Sequence, residues 1–513
     1  MTLAGFFVFP GHTWLGSDTQ IYAPMLERLY DPGMLARDLV TTRLHLGWTA
    51  FDEIAIVLRR ATSLSFEHVL LLQQLVFRAL ALWGLYLIAQ SLELSRWLAV
   101  MAAGLVSLGA AIPGPAVFTV EYEPVPRGFA LALLLLAIGL TLRGRPYWAA
   151  AAGSLALLYH PPTTIPFWLV FAWLLWTERR WRPLLAPAVA AAVLMVLWRW
   201  QSAGTAPQAL FGGIHPEWRA ILRLRASYIW ISLWPLRVFA EYGLLALLAA
   251  GAALRLGKQL DARQRAFCLG LPAIGLVSIA VSWTLLEGLG WRVAPELQPA
   301  RNVLWITLFA VFLSAVAGIA AARERRHVEA FGWMLAVFLL PVRADFLTPL
   351  GWRRAVWIAV LAAASVAAVR IGSMAAPAMV LIAMFAIPYG AQIHNYPDLR
   401  TPALEQLCAW GATAPKSAVF LFPDAGHNLY PGVFRAEARR AVYVDWKAGG
   451  QANFFESLAL EWWRRWRTAM TGHADLALAR LLGVDYVIVS PEHALAGVDA
   501  AYRNAEFVVY RAR

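Results

Sequence analysis

Apolar residues run almost unbroken through the first 390 positions, and the polar residues that interrupt them come in short clusters rather than at helical or strand spacing. Runs of this kind predict membrane-crossing helices, which need roughly 20 apolar residues and fewer where neighbouring helices cover the ends. They lie near 69–91, 97–112, 127–142, 147–160, 163–177, 183–200, 236–254, 266–286, 302–322, 329–342, 355–371 and 375–391. A further run at 3–10 is too short to cross a bilayer and lacks the charged segment and small-residue cleavage site of a signal peptide. The expectation there is a truncated first span whose true start lies upstream.

From Tyr396 the pattern changes. Short β-type runs at 418–422, 441–444, 484–489 and 506–510 alternate with helical stretches at 402–412, 453–471 and 474–482, which predicts a small α/β layer domain over 392–513. The aromatics of 453–471 suit either a face resting on the membrane or the helical bundle, or this domain's own core. The expected fold is therefore mainly α: a polytopic bundle of about 12 to 13 spans over 1–391, with a long first outer loop at 11–68, followed by the α/β domain.

Composition excludes the soluble alternatives. Apolar residues make up 60% of the 513 and charged residues 15%, against about 25% charged in an ordinary soluble chain. The net charge of +13 is nearly all arginine, with lysine only at 258, 416 and 447. Those arginines form no stripe of the kind that tracks nucleic acid. Arg96, Arg143 with Arg145, Arg179 to Arg182, Arg255 to Arg265 and Arg323 to Arg326 fall instead in alternate connections, which assigns those connections to the cytoplasm. The other loops, and the chain after 391, are then outside; Arg353 and Arg354 run against the rule. Cys268 and Cys408 allow neither a disulfide framework nor a metal knuckle.

Ionisable residues at the outer ends of spans are expensive there and so are functional candidates. Asp18 comes after the first apolar run in the segment 16–22, which ends at Tyr22; it suits a general base, and equally the first turn of an interfacial helix capped by Ser17 and Gln20. Glu121, Glu123 and Arg127 surround two prolines, which hold them at one place. Arg127 suits a phosphate, or a local ion pair with Glu123. His160, in a His-Pro-Pro-Thr corner, suits a phosphate donor or a helix-end cap. The loop 287–301 adds Arg292, Glu296 and Arg301, and the amphipathic 217–230 reads as a helix in the interface that gates access to a lipid.

These features together resemble the GT-C glycosyltransferases. The residues that carry the resemblance are an acid just beyond the first span, acids on the next outer loop, about a dozen spans and a C-terminal exterior domain. The Glu123 to Arg127 segment, the corner at His160 and the Val-Asp-Trp-Lys at 444–447 are similar to a bacterial group of that type. The resemblance implies a sugar donor linked to polyprenyl phosphate, chemistry at the outer face of a bacterial cytoplasmic membrane, Asp18 as base, and Glu121 or Glu123 orienting acceptor or base. Chemistry adds Arg127, His160, Arg301 and Tyr22 as expected contacts of the lipid phosphate. The expected partners are the lipid-linked sugar, an acceptor glycan, lipid or protein, and membrane lipids, with no nucleic acid. No cofactor is required, and a divalent metal is compatible with Asp18 beside Glu121 or Glu123. The rival readings are a lipid or polysaccharide transporter or flippase, and an inactive envelope assembly protein.

Overall fold

The computed structural model describes residues 1–42, 48–112, 114–115, 117–201, 211–257, 260–339, 351–371, 374–390, 396 and 399–513. The chain opens with α1 (Thr2–Phe7), α2 (Thr19–Tyr30), α3 (Leu39–Thr42) and α4 (Phe51–Thr62), so the first outer loop is itself largely helical. Apolar helices come next: α5 (Phe66–Ser91), α6 (Arg96–Val106), α7 (Pro126–Leu142), α8 (Pro146–Tyr159), α9 (Pro161–Thr177) and α10 (Leu185–Gln201). After α11 (Pro216–Arg225) come α12 (Leu236–Arg255), α13 (Ala262–Ser282), α14 (Ala294–Leu297), α15 (Leu304–Arg323), α16 (His327–Leu339), α17 (Gly351–Ile371) and α18 (Ala375–Gly390).

Among the described residues five stretches are long and apolar enough to cross a membrane: Phe66–Ser91, Arg182–Gln201, Leu236–Arg255, Ala262–Gly288 and Ala294–Arg323. Shorter apolar helices such as Pro126–Leu142 lie beside them. The chain is a mainly helical, multi-pass membrane protein. Helix occupies nearly all of each predicted run except 97–112, which ends at Val106 and gives way to the antiparallel pair β1 (Ala111–Ile112) and β2 (Val117–Phe118). Gly109 explains the difference: its apolar neighbours extend the hydropathy signal, but it takes a positive φ of 75°, which a helix does not accommodate. The predicted outer loop 343–354 falls mostly outside the described residues.

Two packing features organise the bundle. Every residue of α15 from Leu304 to Ala322 is buried, so this helix runs through the core of the bundle and leads on from the segment 299–303. α5 and α7 touch backbone to backbone: a Cβ on Gly84 would meet the carbonyl carbon of Leu135, and one on Gly139 would lie 2.8 Å from the carbonyl oxygen of Gly84. Only glycine allows that approach, and it sets how closely the two helices pack. At the far end of the bundle the arginine-rich connections tie together through Arg263 to Glu178 (2.6 Å), Arg255 to Glu329 (2.5 Å) and Gln264 to the Ser91 carbonyl (2.5 Å).

The C-terminal residues form α19 (Pro402–Thr413), β3 (Val419–Leu421), α20 (Tyr430–Ala438), β4 (Ala441–Val442), α21 (Glu456–Ala469), α22 (Leu476–Leu481), β5 (Tyr486–Val489), β6 (Tyr502–Arg503) and β7 (Val508–Arg511). The sheet order is β4-β3-β5-β7-β6, with β3 parallel to β4 and β5, and β7 antiparallel to β5 and β6. Phe420, Val442, Ile488 and Val509 pack against Leu407 of α19 and Phe434 of α20. All four expected strands are present, and β6 and α20 are additional. Pro431 falls in the first turn of α20, where its missing N–H has no intrahelical partner to lose.

The aromatics of α21 face inward. Trp462 is fully buried and donates to the Asp445 carbonyl at 2.9 Å, beside Trp446 and Trp466. α21 also packs on α11, whose buried Trp218 donates to the Ala452 carbonyl at 2.8 Å. The apolar face of α11 is therefore covered by protein rather than laid on lipid, and Arg292, expected as an interfacial anchor, lies 3.6 Å from Glu456.

One ionic cluster joins the first outer loop to the sheet. Arg435 of α20 is fully buried and donates to Asp38 (2.7 Å) and Asp445 (2.5 Å), while Asp38 also accepts from the backbone N–H groups of Val40 and Val442, both at 2.8 Å. Removing one member of a buried ionic set leaves the others without a counter-charge and costs about 3–5 kcal/mol. Arg435→Ala should lose that much in denaturation monitored by tryptophan fluorescence in detergent. A loss under about 1 kcal/mol would show that the cluster is not holding the two parts together.

Candidate active site

The segment between β2 and α7 is held from several sides. The Glu121 carbonyl accepts from Gln74 (3.0 Å) and Arg78 (2.6 Å) of α5, and the Tyr122 carbonyl accepts from the Thr13 N–H at 2.8 Å. Val125 is extended and Pro126 opens α7, so Arg127 projects from the first turn of that helix.

Glu123 reaches across to the start of α2. Its two oxygens accept from the backbone N–H groups of Ser17 (2.7 Å), Asp18 (2.8 Å) and Thr19 (3.3 Å), and from the Thr19 hydroxyl at 2.5 Å. A carboxylate at a helix N-terminus is favoured by the unpaired donors and the helix dipole. The capping box expected of Ser17 and Gln20 is therefore absent, because a residue more than a hundred positions away caps the helix. Gln20 instead donates to the Leu15 carbonyl at 2.8 Å. Burial, and after it the nearby charge of Asp18, pushes the Glu123 carboxyl above its ordinary value.

With its backbone N–H taken by Glu123, Asp18 places its side chain between two cations. Oδ2 accepts from Arg127 at 2.8 Å, and Oδ1 accepts from Lys447 at 2.6 Å. Arg127 also donates to Glu121 through Nε (2.5 Å) and Nη2 (3.3 Å), so its guanidinium stands between the two acids. The ion pair expected between Glu123 and Arg127 is thus made by Glu121. Burial raises the Asp18 carboxyl, but Lys447 and Arg127 outweigh it and hold the group well below the usual carboxylate range.

Arg127 opens onto a cavity of about 330 Å³ also lined by Tyr22, Glu121, His160, Glu296 and Arg301. His160 joins α8 to α9; its Nδ1 pairs with the Thr163 hydroxyl at 2.8 Å, and its Nε2 has no hydrogen-bond partner among the described residues. Arg301 lies in the 3-10 turn Pro299–Val303 that leads into α15, with its guanidinium 5.3 Å from the Tyr228 ring centroid. Its Nε is buried without a hydrogen bond, and it has no carboxylate partner among the described residues. A cation so placed favours an anion in the cavity.

The predicted residues separate into two groups. Asp18, Glu121 and Arg127 form one connected cluster, and Tyr22, His160 and Arg301 share its cavity. Glu123 supports the cluster from outside the cavity. Lys447 is a member of the cluster that the sequence does not single out, although the tetrapeptide containing it carries part of the family resemblance. Among the described residues no three His, Cys, Asp or Glu side chains converge on a metal site. The Arg127 guanidinium fills the space between Asp18 and Glu121, and Glu123 is committed to N–H donors, so this donor set fits a cation of the protein's own rather than a divalent ion.

No family profile matches the chain, and no curated protein sequence does. Among solved structures it is similar to ArnT from Cupriavidus metallidurans in the apo state, with TM-score 0.42 and 14% identity over 99% of this chain and 95% of that one. The structure of ArnT bound to undecaprenyl phosphate gives the same figures. It is also similar to the arabinofuranosyltransferase AftD from Mycobacteria, with TM-score 0.38 and 13% identity over 99% of this chain and 40% of that one. The chemistry of the site stands on its own geometry.

A carboxyl held below its unfolded value stabilises the fold above that value, near 3.8, and the contribution is lost as pH falls toward the folded one. Asp18→Asn should therefore be less stable than the wild type at pH 6 to 7, by about 1.5–3 kcal/mol for hydrogen bonds to charged groups. The gap should narrow progressively below about pH 4. A gap independent of pH, read from thermal unfolding across that range, would contradict the assignment.

Proposed function

We propose that this chain is a membrane glycosyltransferase that moves a sugar from a polyprenyl-phosphate donor to an acceptor hydroxyl with inversion. The observation that carries the reading is Arg301, a cation without a carboxylate partner among the described residues, on the wall of a cavity it shares with Arg127 and His160. A lipid-linked phosphate fits such a cavity in a helical bundle, and a sugar delivered on lipid requires no nucleotide-binding loop.

In this scheme the donor phosphate sits among Arg127, His160 and Arg301, with Tyr22 on the opposite wall. Arg127 is shared between Asp18 and Glu121, so an arriving phosphate competes for it and releases Oδ2 of Asp18. The freed oxygen takes the proton of the acceptor hydroxyl. The acceptor oxygen forms the new bond to the anomeric carbon, and the old carbon–oxygen bond breaks with its electron pair passing to the phosphate, where the cations hold the charge. Glu121 keeps Arg127 in place, and Glu123 keeps Asp18 in place. The site end of the bundle then faces the outside of a bacterial cytoplasmic membrane together with the α/β domain of 392–513, since the arginine clusters gather at the other end.

The test is turnover of the purified protein in lipid nanodiscs with a panel of polyprenyl-phosphate hexoses and pentoses. Asp18→Asn should lower kcat at least about a hundredfold, as loss of a positioned base does. Arg301→Ala should weaken binding of undecaprenyl phosphate, measured by native mass spectrometry, about tenfold or more. Full activity in Asp18→Asn would overturn the scheme.

A further inference from the structure

The segment that carries Lys447 is almost wholly buried and is held from several sides. The 3-10 turn Lys447–Asn453 comes just after Asp445, whose Oδ1 accepts from the Ala448 N–H at 3.2 Å and from Arg435 at 2.5 Å. Arg225 of α11 donates to the Trp446 carbonyl at 2.9 Å and lies over the Trp446 ring. Gln451 donates to the Val40 carbonyl at 2.9 Å, and Asn453 donates to the Tyr228 hydroxyl at 3.1 Å. Contacts from the first outer loop, α11 and the turn after it thus converge on this short stretch.

These contacts deliver one amine. Lys447 is buried, and its Nζ donates to the Ser17 hydroxyl at 2.7 Å and to Oδ1 of Asp18 at 2.6 Å. The two cations on Asp18 differ in how they are held. Arg127 is tied twice to Glu121 and borders the cavity, whereas Lys447 enters from the opposite side of the carboxylate and does not line the cavity.

We infer that the C-terminal α/β region completes the catalytic centre, with Lys447 as the positioning residue that fixes the orientation of the Asp18 carboxylate. The inference rests on the reading of Asp18 as the base. Ser17 and Asp18 sit in one turn, so an amine bonded to both leaves the carboxylate a single rotamer, with Oδ2 toward Arg127, which borders the cavity. When a phosphate draws Arg127 away, Lys447 remains, and the freed oxygen stays aimed at the acceptor. The buried cluster of Asp38, Arg435 and Asp445 then serves catalysis by setting where the lysine enters.

The groups that face Asp18 are Arg127 and Glu121 from the α7 side, Glu123 beneath its backbone, Tyr22 on α2, Arg301 and Arg225 at longer range, and Lys447. Of the two cations bonded to Asp18, Lys447 is the one whose removal leaves the pair of Arg127 and Glu121 intact. The experiment uses full-length protein labelled with the hydrophobic carbodiimide dicyclohexylcarbodiimide, which reacts with protonated carboxyls, and maps the modification at Asp18 by mass spectrometry across pH 2 to 7. Lys447→Met and Lys447→Gln should move the labelling midpoint of Asp18 up by at least about one pH unit. Lys447→Arg should restore it. The acid limb of the kcat/KM profile should move with it, while the affinity for undecaprenyl phosphate stays within about twofold. An unchanged Asp18 midpoint in both uncharged variants would overturn the inference. Wild-type turnover in Asp18→Asn would instead overturn the assignment of the base, whatever the labelling gives, so the two failures are distinguishable.

Discussion

The arrangement of this site depends on one guanidinium. Arg127 bonds Asp18 on one side and Glu121 on the other, and both acids lie where water is scarce. Without it two carboxylates would face each other across a few ångströms of poorly solvated space, and one of them would have to take up a proton. With it, the first outer loop and the start of α7 are joined by charge. Much of the local structure serves to hold that guanidinium still: Pro124 and Pro126 at the entry to α7, and the bonds from Gln74 and Arg78 to the Glu121 carbonyl.

Around this pair the structure divides labour between acids that look alike in the sequence. Glu121 and Glu123 are two residues apart, yet one lines the cavity and bonds a guanidinium, while the other lies outside it and bonds the start of α2. Alternation along an extended segment puts neighbouring-but-one residues on the same side, and the bend at Tyr122 and Glu123 is what separates them. The result is that a second carboxylate orders the turn carrying Asp18 without competing for its proton. Asp18 keeps both oxygens for cations because its helix is capped from elsewhere.

The bundle was legible because its signal is local. Every membrane-crossing helix needs a run of apolar residues, so the lengths of those runs and the charges between them placed the helices to within a few residues. The exception, 97–112, is where the left-handed turn at Gly109 outweighed hydropathy. The candidate site was half legible for the same reason: Asp18, Glu121, Arg127, His160 and Arg301 each stand out as polar residues at the end of an apolar run. What the sequence hides is pairing. Glu123 as a cap for residues 17 to 19, and Lys447 as a partner of Asp18, are contacts between segments over a hundred and over four hundred positions apart. Neither has a periodicity to announce it. Lys447 had one faint signal, as one of only three lysines in a chain that otherwise uses arginine.

That choice of residue has a physical logic. Arginine's fork bonds two groups at once, which suits Arg127 because it must hold Glu121 while yielding Asp18 to a competitor. Lysine is a compact point charge, and a buried amine bonded to Ser17 and Asp18 has no second face to offer a phosphate. The two cations on Asp18 are therefore not redundant. One is placed to respond to what enters the cavity, and the other is placed so that it does not. A carboxylate gripped equally firmly on both oxygens would be a permanent salt bridge, whereas one gripped by an unlike pair becomes available when ligand arrives. On the proposed function, binding of the anion and activation of Asp18 are then a single event, which confines the base's availability to the state in which a donor is already bound.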